Sequence, residues 1–176
     1  MPVELLFDYS DIDLDQTYMR REEMRKYIDQ RDIVEQLDYV IWVNDDRSRG
    51  VGVRKVREDE WWVTGHIPGN PILPGVLMVE TAAQFSTFLY RYKMEGLKSA
   101  MPEFLAFAGI DNTRFRATVS PGDELLFLIQ EKRFAKRRIV ADVQALTGFR
   151  NGAEAKIAFE TRVIGMPITG MRRTED

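Results

Sequence analysis

The sequence predicts a single α+β domain built from one buried helix and a long antiparallel sheet. First, the segment from Val76 to about Tyr92 is apolar on nearly every face of a helix, so other structure must cover most of its sides. Second, the stretch from Phe104 to Ile164 is rich in β-forming residues interrupted by turn sequences. Helix and strands thus occupy separate parts of the chain, as in α+β folds, and 176 residues suffice for one domain.

The elements before this helix are a short helix and a pair of strands. Residues 11–28 are highly charged but carry spaced apolar side chains, which predicts a short amphipathic helix after an irregular start. Tyr39–Val43 and Val51–Val56 are predicted strands on either side of a polar turn at residues 44–50. The predicted divisions of the chain are a charged N-terminal extension (1–23), the folded domain (24–165) and a C-terminal tail (166–176).

Turn sequences divide the strands that follow the helix. Ser120-Pro121-Gly122-Asp123 predicts a turn between two strands. Asn151-Gly152 stands between two runs of alternating apolar residues, and this dipeptide is the strongest short signal for a hairpin. We therefore expect Ile139–Leu146 and Ala153–Val163 to pair antiparallel.

Composition excludes several classes of protein. A net charge of −3 argues against a nucleic-acid binder, which needs a surplus of clustered lysine and arginine. No stretch approaches the roughly 18 consecutive apolar residues of a membrane span, and the first residues do not resemble a secretory signal. The chain has no cysteine, hence no disulfide and no cysteine-ligated metal, and a reducing cytoplasm is the expected location.

One short stretch of the β-rich region is strongly basic. A solvated surface is the ordinary explanation for such a run of charge. The alternative is a docking patch for an acidic partner protein. The residues of this basic cluster are Lys132, Arg133, Lys136, Arg137 and Arg138.

The run from Gly65 to Gln84 holds the candidate catalytic residues. His66, the only histidine of the chain, lies in a Pro/Gly loop, and histidine is the side chain whose ordinary pKa suits a general base near neutral pH. Glu80 lies inside the apolar helix, where a buried carboxyl stays protonated and can act as a general acid. Gly75 opens the helix, so its N–H can donate to a developing oxyanion with no side chain in the way.

Two segments resemble the motifs of the FabZ-type 3-hydroxyacyl-[acyl-carrier-protein] dehydratases, a family of the hotdog superfamily. The matching residues are Gly65-His66-Ile67-Pro68, Pro74-Gly75-Val76-Leu77, Glu80-Thr81-Ala82-Ala83-Gln84 and the segment 107–123, which ends in Pro121-Gly122-Asp123. The resemblance spans about residues 24–163. It implies a hotdog fold, in which an antiparallel sheet wraps around one central helix. It also implies the dehydration of (3R)-hydroxyacyl thioesters to trans-2-enoyl thioesters in fatty-acid synthesis.

The resemblance further implies roles and partners. The implied assignments are His66 as base, Glu80 as acid, Gly75 as oxyanion donor, Pro74 and Val76 beside the substrate, and Gln84 beside the acid. The acid is expected to come from the neighbouring protomer, so each site straddles the interface of a homodimer, which can assemble further into a hexamer. The substrate is carried on the phosphopantetheine of acyl carrier protein, and the basic cluster is its candidate docking patch. No metal or redox cofactor is implied.

The chain departs from the family pattern at a few positions. Asp29–Asp38 aligns with a segment that reads Pro-His-Arg-Tyr-Pro-Phe-Leu-Leu-Val-Asp in the family. Arg31 and Asp38 are kept, but Asp32 stands where a tyrosine gates the acyl tunnel. Ile67 replaces a phenylalanine, and Asn112 replaces a lysine. These changes leave acyl-chain length open. Two alternatives therefore stand beside the dehydratase, namely a hotdog acyl thioesterase and a non-catalytic paralogue that binds acyl thioesters.

Overall fold

The computed structural model describes residues 4–102, 104–150 and 155–168. Within these ranges, seven strands form one antiparallel sheet in the order β1-β2-β3-β5-β6-β7-β4. The strands are β1 (Met19–Arg20), β2 (Tyr39–Val43), β3 (Arg49–Lys55), β4 (Phe104–Phe115), β5 (Glu124–Ala135), β6 (Arg138–Thr147) and β7 (Lys156–Ile168). The helices are α1 (Arg21–Met24), a 3-10 turn (Asp32–Val34) and the long α2 (Gly75–Gly96). The predicted α+β class is therefore confirmed.

The long helix α2 forms the core together with the inner face of the sheet. Phe85, Phe88 and Leu89 are fully buried against strand residues from both halves of the sheet. The helix approaches β3 closely, because a Cβ atom on Gly52 would lie 3.2 Å from the Phe85 ring. The predicted helix is confirmed, and it begins one residue earlier and continues four residues further than the sequence indicated.

The outer face of the sheet is covered by the N-terminal segment, residues 4–15. Phe7 packs into a second apolar cluster on this face. The Gln144 side chain on β6 ties the segment down, since its Oε1 accepts from the Leu6 N–H at 2.9 Å and its Nε2 donates to the Glu4 carbonyl at 3.0 Å. The strand residues of this cluster are Ile41, Val51, Val53, Leu126, Leu128 and Leu146. The middle of the sheet is thus buried on both faces.

The predicted strands and turns are confirmed where the structure describes them. β2 and β3 form an antiparallel pair, and the turn before β5 is closed by a bond of 3.1 Å from the Asp123 N–H to the Ser120 carbonyl. β6 and β7 pair antiparallel, with Leu146 opposite Ile157. The Asn151-Gly152 turn itself lies outside the described residues. No helix in the described ranges is both long and apolar enough to cross a membrane.

The predicted amphipathic helix over residues 11–28 is wrong. Only the four residues of α1 are helical, and Met19–Arg20 instead pairs with β2. Asp13 accepts from the backbone N–H of Asp15, two residues further on, and Asp8 just before this region accepts from the Ser10 N–H in the same way. Such local bonds compete with helical hydrogen bonds, and here they win over the spacing of apolar residues.

Candidate active site

His66 is held in a loop of successive turns between β3 and α2. Its backbone N–H donates to the Trp62 carbonyl at 2.7 Å, and its half-buried ring meets the Trp62 ring edge-on at 6.5 Å. The Nδ1 atom lies 2.6 Å from the Ile72 carbonyl oxygen. Because a carbonyl oxygen only accepts, Nδ1 carries the proton in the neutral ring. The lone pair of the ring is then on Nε2, where it can take a proton.

The next part of the site is the start of α2. The Leu73 N–H donates to the Val119 carbonyl at 2.7 Å and so fixes the end of the histidine loop. Pro74 caps the helix, Gly75 is its first residue, and the Val76 side chain is 71% exposed. The first N–H groups of a helix have no partner within the helix and point out of its N-terminus. This end of α2 therefore presents free donors and an accessible apolar side chain.

Gly75 is also in close contact with β4. A Cβ atom at this position would lie only 2.7 Å from the ring of Phe115. That ring is stacked on Phe159 with the ring centres 5.5 Å apart. Any residue other than glycine would thus displace an aromatic ring next to the helix N-terminus, which gives Gly75 a steric role besides its N–H group.

Glu80 lies one turn before Gln84 on α2 and is held by it. As the spacing predicts, Gln84 Nε2 donates to Glu80 Oε1 at 2.8 Å. The same amide is fixed in turn, because Nε2 also donates to the Val34 carbonyl at 2.7 Å and Oε1 accepts from the Gln36 N–H at 2.9 Å. Glu80 itself is half-buried. Its carboxyl is therefore oriented by a glutamine that has little freedom to turn.

Glu80 borders a cavity that His66 of the same chain does not line. Glu80 lines a cavity of about 130 Å³ between α2 and the strands β4, β6 and β7. The described residues that line it do not include His66 or Gly75. The other lining residues are Asp29, Gln30, Ala83, Ser86, Thr87, Phe104, Leu105, Ala106, Phe107, Ile139, Val163 and Gly165. The candidate base and the candidate acid of one chain do not share this cavity.

The basic cluster lies at the tip of the β5–β6 hairpin. Lys132, Arg133, Lys136 and Arg137 are exposed, whereas Arg138 is half-buried. The tip is anchored to α2, because the hydroxyl of Tyr90 donates to the Lys136 carbonyl at 2.8 Å. At the usual helical rise, Tyr90 lies roughly 20 Å along the axis from the start of α2. Within one chain the cluster is therefore near the opposite end of the helix from the histidine loop.

Several buried polar residues around the site were not predicted from the sequence. Gln36, Arg54 and Glu60 form hydrogen bonds with one another beneath the histidine loop. Arg54 lies on the same face of β3 as Gly52, which contacts Phe85, so strand alternation alone directs it inward. Arg54, a charged residue at a strand position that faces inward, was the feature of the sequence that could have revealed these residues.

Comparison of the sequence with protein families gives a match to the FabA-like domain over residues 28–156. A protein of Coxiella burnetii named 3-hydroxyacyl-[acyl-carrier-protein] dehydratase FabZ is 37% identical over 107 residues, which cover 61% of this chain and 74% of that protein. A protein of the same name from Pelotomaculum thermopropionicum is 34% identical over 130 residues, covering 72% and 86% of the two chains.

Solved structures share the fold at low sequence identity. One chain of the dehydratase heterocomplex ApeI:P from Xenorhabdus doucetiae superposes with a TM-score of 0.67 at 14% identity, covering 82% of this chain and 90% of the other. An acyl-CoA hydrolase mutant from Staphylococcus aureus gives a TM-score of 0.54 at 13% identity, with coverages of 73% and 70%. Together with the sheet around α2, these likenesses confirm the predicted hotdog fold.

Proposed function

Because this chain belongs to the FabA-like family, we propose that it removes water from (3R)-hydroxyacyl groups carried by acyl carrier protein and gives trans-2-enoyl thioesters. The names of its relatives support this reaction. The observation that carries the proposal is the 2.6 Å contact between His66 Nδ1 and the Ile72 carbonyl, since it leaves Nε2 of the chain's only histidine as a proton acceptor. No metal or redox cofactor enters this chemistry.

In the proposed reaction, His66 Nε2 takes a proton from C2 of the acyl group. The electron pair of that C–H bond becomes an enolate, whose oxygen accepts a hydrogen bond from the Gly75 N–H. Glu80 of the partner subunit gives a proton to the C3 hydroxyl, the C3–O bond breaks, water leaves and the C2–C3 double bond forms. Pro74 and Val76 line the entrance beside Gly75, and Gln84 holds the acid in place.

Two observations support a site shared between protomers. The cavity at Glu80 does not include the histidine of the same chain. In addition, β4 is the last strand of the sheet in the described part of the chain, and it leaves Phe107, Ile110 and Phe115 exposed. An unpaired strand edge with large apolar side chains favours pairing with a second chain. We therefore propose a homodimer joined along β4, which can assemble into a trimer of dimers.

Enoyl-thioester absorbance after addition of a 3-hydroxyacyl thioester tests the reaction. We expect turnover by the wild type and loss of turnover in His66→Ala and Glu80→Gln. Glu22→Gln is the control for loss of a carboxylate, because Glu22 is an exposed glutamate of α1. Release of free thiol without enoyl product would instead indicate the thioesterase, and binding without turnover would indicate the non-catalytic paralogue.

Mixed dimers test whether the site is shared. A subunit with His66→Ala and a subunit with Glu80→Gln are both inactive alone, but together they form one intact site from the remaining His66 and Glu80. Random pairing should restore about a quarter of the wild-type activity, since half of the dimers are mixed and each has one intact site. No recovery on mixing would show that both residues act within one chain.

The basic cluster is proposed as the contact with acyl carrier protein. Charge complementarity mainly raises association rates, so reversing charges here should raise KM for the carrier-linked substrate in a salt-dependent way. We expect Lys132→Glu with Arg133→Glu to show this effect and a small soluble thioester to show none. Lys156→Glu, on β7, is the control for a general charge effect. The proposed reaction belongs in the cytoplasm.

A further inference from the structure

A continuous chain of hydrogen bonds leads from Glu80 into the interior of the protein. Glu80 accepts from Gln84, and Gln84 accepts from the Gln36 N–H, as described above. The side chain of Gln36 then continues the path, because its Oε1 accepts from Arg54 Nε at 3.1 Å and from Nη2 at 2.9 Å. Arg54 therefore fixes the short turn that presents two groups to Gln84, the Gln36 N–H and the Val34 carbonyl.

The same arginine leads on the other side to the histidine loop. Arg54 Nη2 donates to Glu60 Oε2 at 2.7 Å, and this oxygen also accepts from the Trp62 indole N–H at 2.7 Å. Glu60 Oε1 accepts from the Arg57 N–H at 3.0 Å and so closes the turn. Trp62 in turn holds His66 through its carbonyl and its ring. One guanidinium is thus connected to both candidate catalytic side chains.

Four members of this network are buried from solvent. Arg54 is 2% exposed, Gln36 5%, Gln84 1% and Trp62 2%. Desolvation is expensive for a guanidinium: burial lowers the pKa of Arg54, although Glu60 opposes this effect. Its Nη1 atom has no hydrogen-bond partner among the described residues. Replacement of a whole buried ion pair by apolar side chains is commonly neutral or stabilising, whereas removal of Arg54 alone would leave Glu60 without its partner. The pair as a whole is therefore poorly explained by stability alone.

We propose that Arg54 is a positioning residue for both catalytic side chains of its protomer, acting on Glu80 through Gln36 and Gln84 and on His66 through Glu60 and Trp62. The inference rests on the proposed function, in which these two side chains do the chemistry. Since they belong to different sites of the dimer, the arginine of each chain supports half of one site and half of the other.

The first test separates positioning from folding. Gln36→Leu removes the side-chain acceptor of Arg54 and replaces it with an apolar group of similar size, and Arg54→Met removes the guanidinium. The matched control is Gln144→Leu, because Gln144 is also a buried glutamine but ties down the N-terminal segment instead. We expect kcat to fall about 10- to 100-fold in both network variants with KM nearly unchanged, and kcat to be retained in the control at temperatures below its unfolding transition.

A second test does not depend on whether the Arg54→Met variant folds. In the mixed dimers described above, the intact site takes Glu80 from the His66→Ala subunit and His66 from the Glu80→Gln subunit. We expect Gln36→Leu to lower activity when it is placed in the His66→Ala subunit and to have little effect in the other. Glu60→Gln should show the reverse dependence. A general loss of stability would lower activity equally in both arrangements.

A double variant tests whether the two residues act along one path. Gln36→Leu combined with Arg54→Met should have no lower kcat than Arg54→Met alone, because residues of one network are not additive. Wild-type turnover that is lost in His66→Ala but retained at full kcat in both network variants would overturn this inference and leave the proposed function standing. Absence of turnover in the wild type would overturn the proposed function and, with it, this inference.

Discussion

At the scale of single residues, one backbone oxygen defines the chemistry of the histidine. The Ile72 carbonyl accepts from Nδ1 and so leaves Nε2 as the ring nitrogen with a lone pair. Such an orienting contact is usually a carboxylate in hydrolases with a catalytic triad. Here it is an uncharged group of the same loop, so the orientation of His66 depends on the conformation of that loop.

Replacement of Gly75 should show that the space beside its N–H is needed. In Gly75→Ala the new methyl group would meet the Phe115 ring, which must turn away and disturb the helix N-terminus. We expect kcat to fall about 10-fold or more, since small displacements at a reacting centre are costly. Gly65→Ala has no atom within 4 Å of its new Cβ and should not lower the melting temperature. An unchanged kcat in Gly75→Ala would contradict the assignment.

Ile67 should be a source of backbone strain in the histidine loop. Its φ of 58° lies in the left-handed region, which β-branched residues rarely adopt, and the side chain is exposed. Asparagine tolerates this conformation, so Ile67→Asn should raise the free energy of unfolding by about 1 kcal/mol in urea titrations. Ile33→Asn, another exposed isoleucine outside the left-handed region, should give no such gain. Equal effects of the two substitutions on the free energy of unfolding would refute the backbone strain at Ile67.

Sequence reasoning singled out candidate site residues but not their surroundings. His66, Gly75 and Glu80 stand out because each is an unusual residue type at its position. Gln36 and Glu60 do not stand out, since they lie far apart in sequence and meet only through Arg54 in the folded chain. That Glu80 lines a cavity without His66 was also not evident from a run of residues in which the two lie close together.

At the scale of elements, ion pairs hold the short α1 and the turn after it against the domain. Arg25 makes two bonds to Glu35, from Nε at 2.7 Å and from Nη2 at 2.8 Å. Lys26 and Tyr27 both bond to Glu95 near the end of α2. A helix of four residues has little stability of its own, so these contacts define its position.

The pair of Arg25 and Glu35 predicts a pH dependence of stability. The bonds from Arg25 hold the pKa of the Glu35 carboxyl below its ordinary value of 4.5. The contribution is therefore fully present above that value and is lost as the pH falls through the lower pKa of the folded state. Glu35→Gln should cost about 0.5 to 1 kcal/mol at pH 7 and almost nothing at pH 2 in denaturant titrations. Glu22→Gln, an exposed change in α1, is the control. A penalty at pH 7 that persists at pH 2 would rule out the ion pair as its cause.

The elements show where sequence patterns suffice and where they fail. The helix α2 and the strands after it were predicted because long apolar runs and turn residues act together over many positions. The N-terminal region was mistaken for a helix because its apolar residues have helical spacing. Its aspartates decide the outcome through bonds to neighbouring N–H groups, which the spacing of apolar residues does not reveal.

At the scale of the whole molecule, activity should depend on the free edge of the sheet. A charge in the middle of β4 would have to be buried when a second chain pairs with that strand. Ile110→Lys should therefore shift the protein to monomer in sedimentation and remove the dehydratase activity together with the dimer. Leu97→Lys, an equally apolar and exposed position at the end of α2, should change neither. A fully active Ile110→Lys monomer would rule out the shared site.

The N-terminal segment, residues 4–15, covers the outer face of the sheet, and this imposes an order on folding during synthesis. Leu6 is bonded to Gln144, 138 residues further along the chain. A ribosome releases the N-terminal segment first, yet its docking site is incomplete until β6 has emerged. The leucines and valines of the outer face therefore stay exposed to solvent for most of synthesis. The nascent chain is most prone to aggregation in that interval. The segment that is made first closes the fold last.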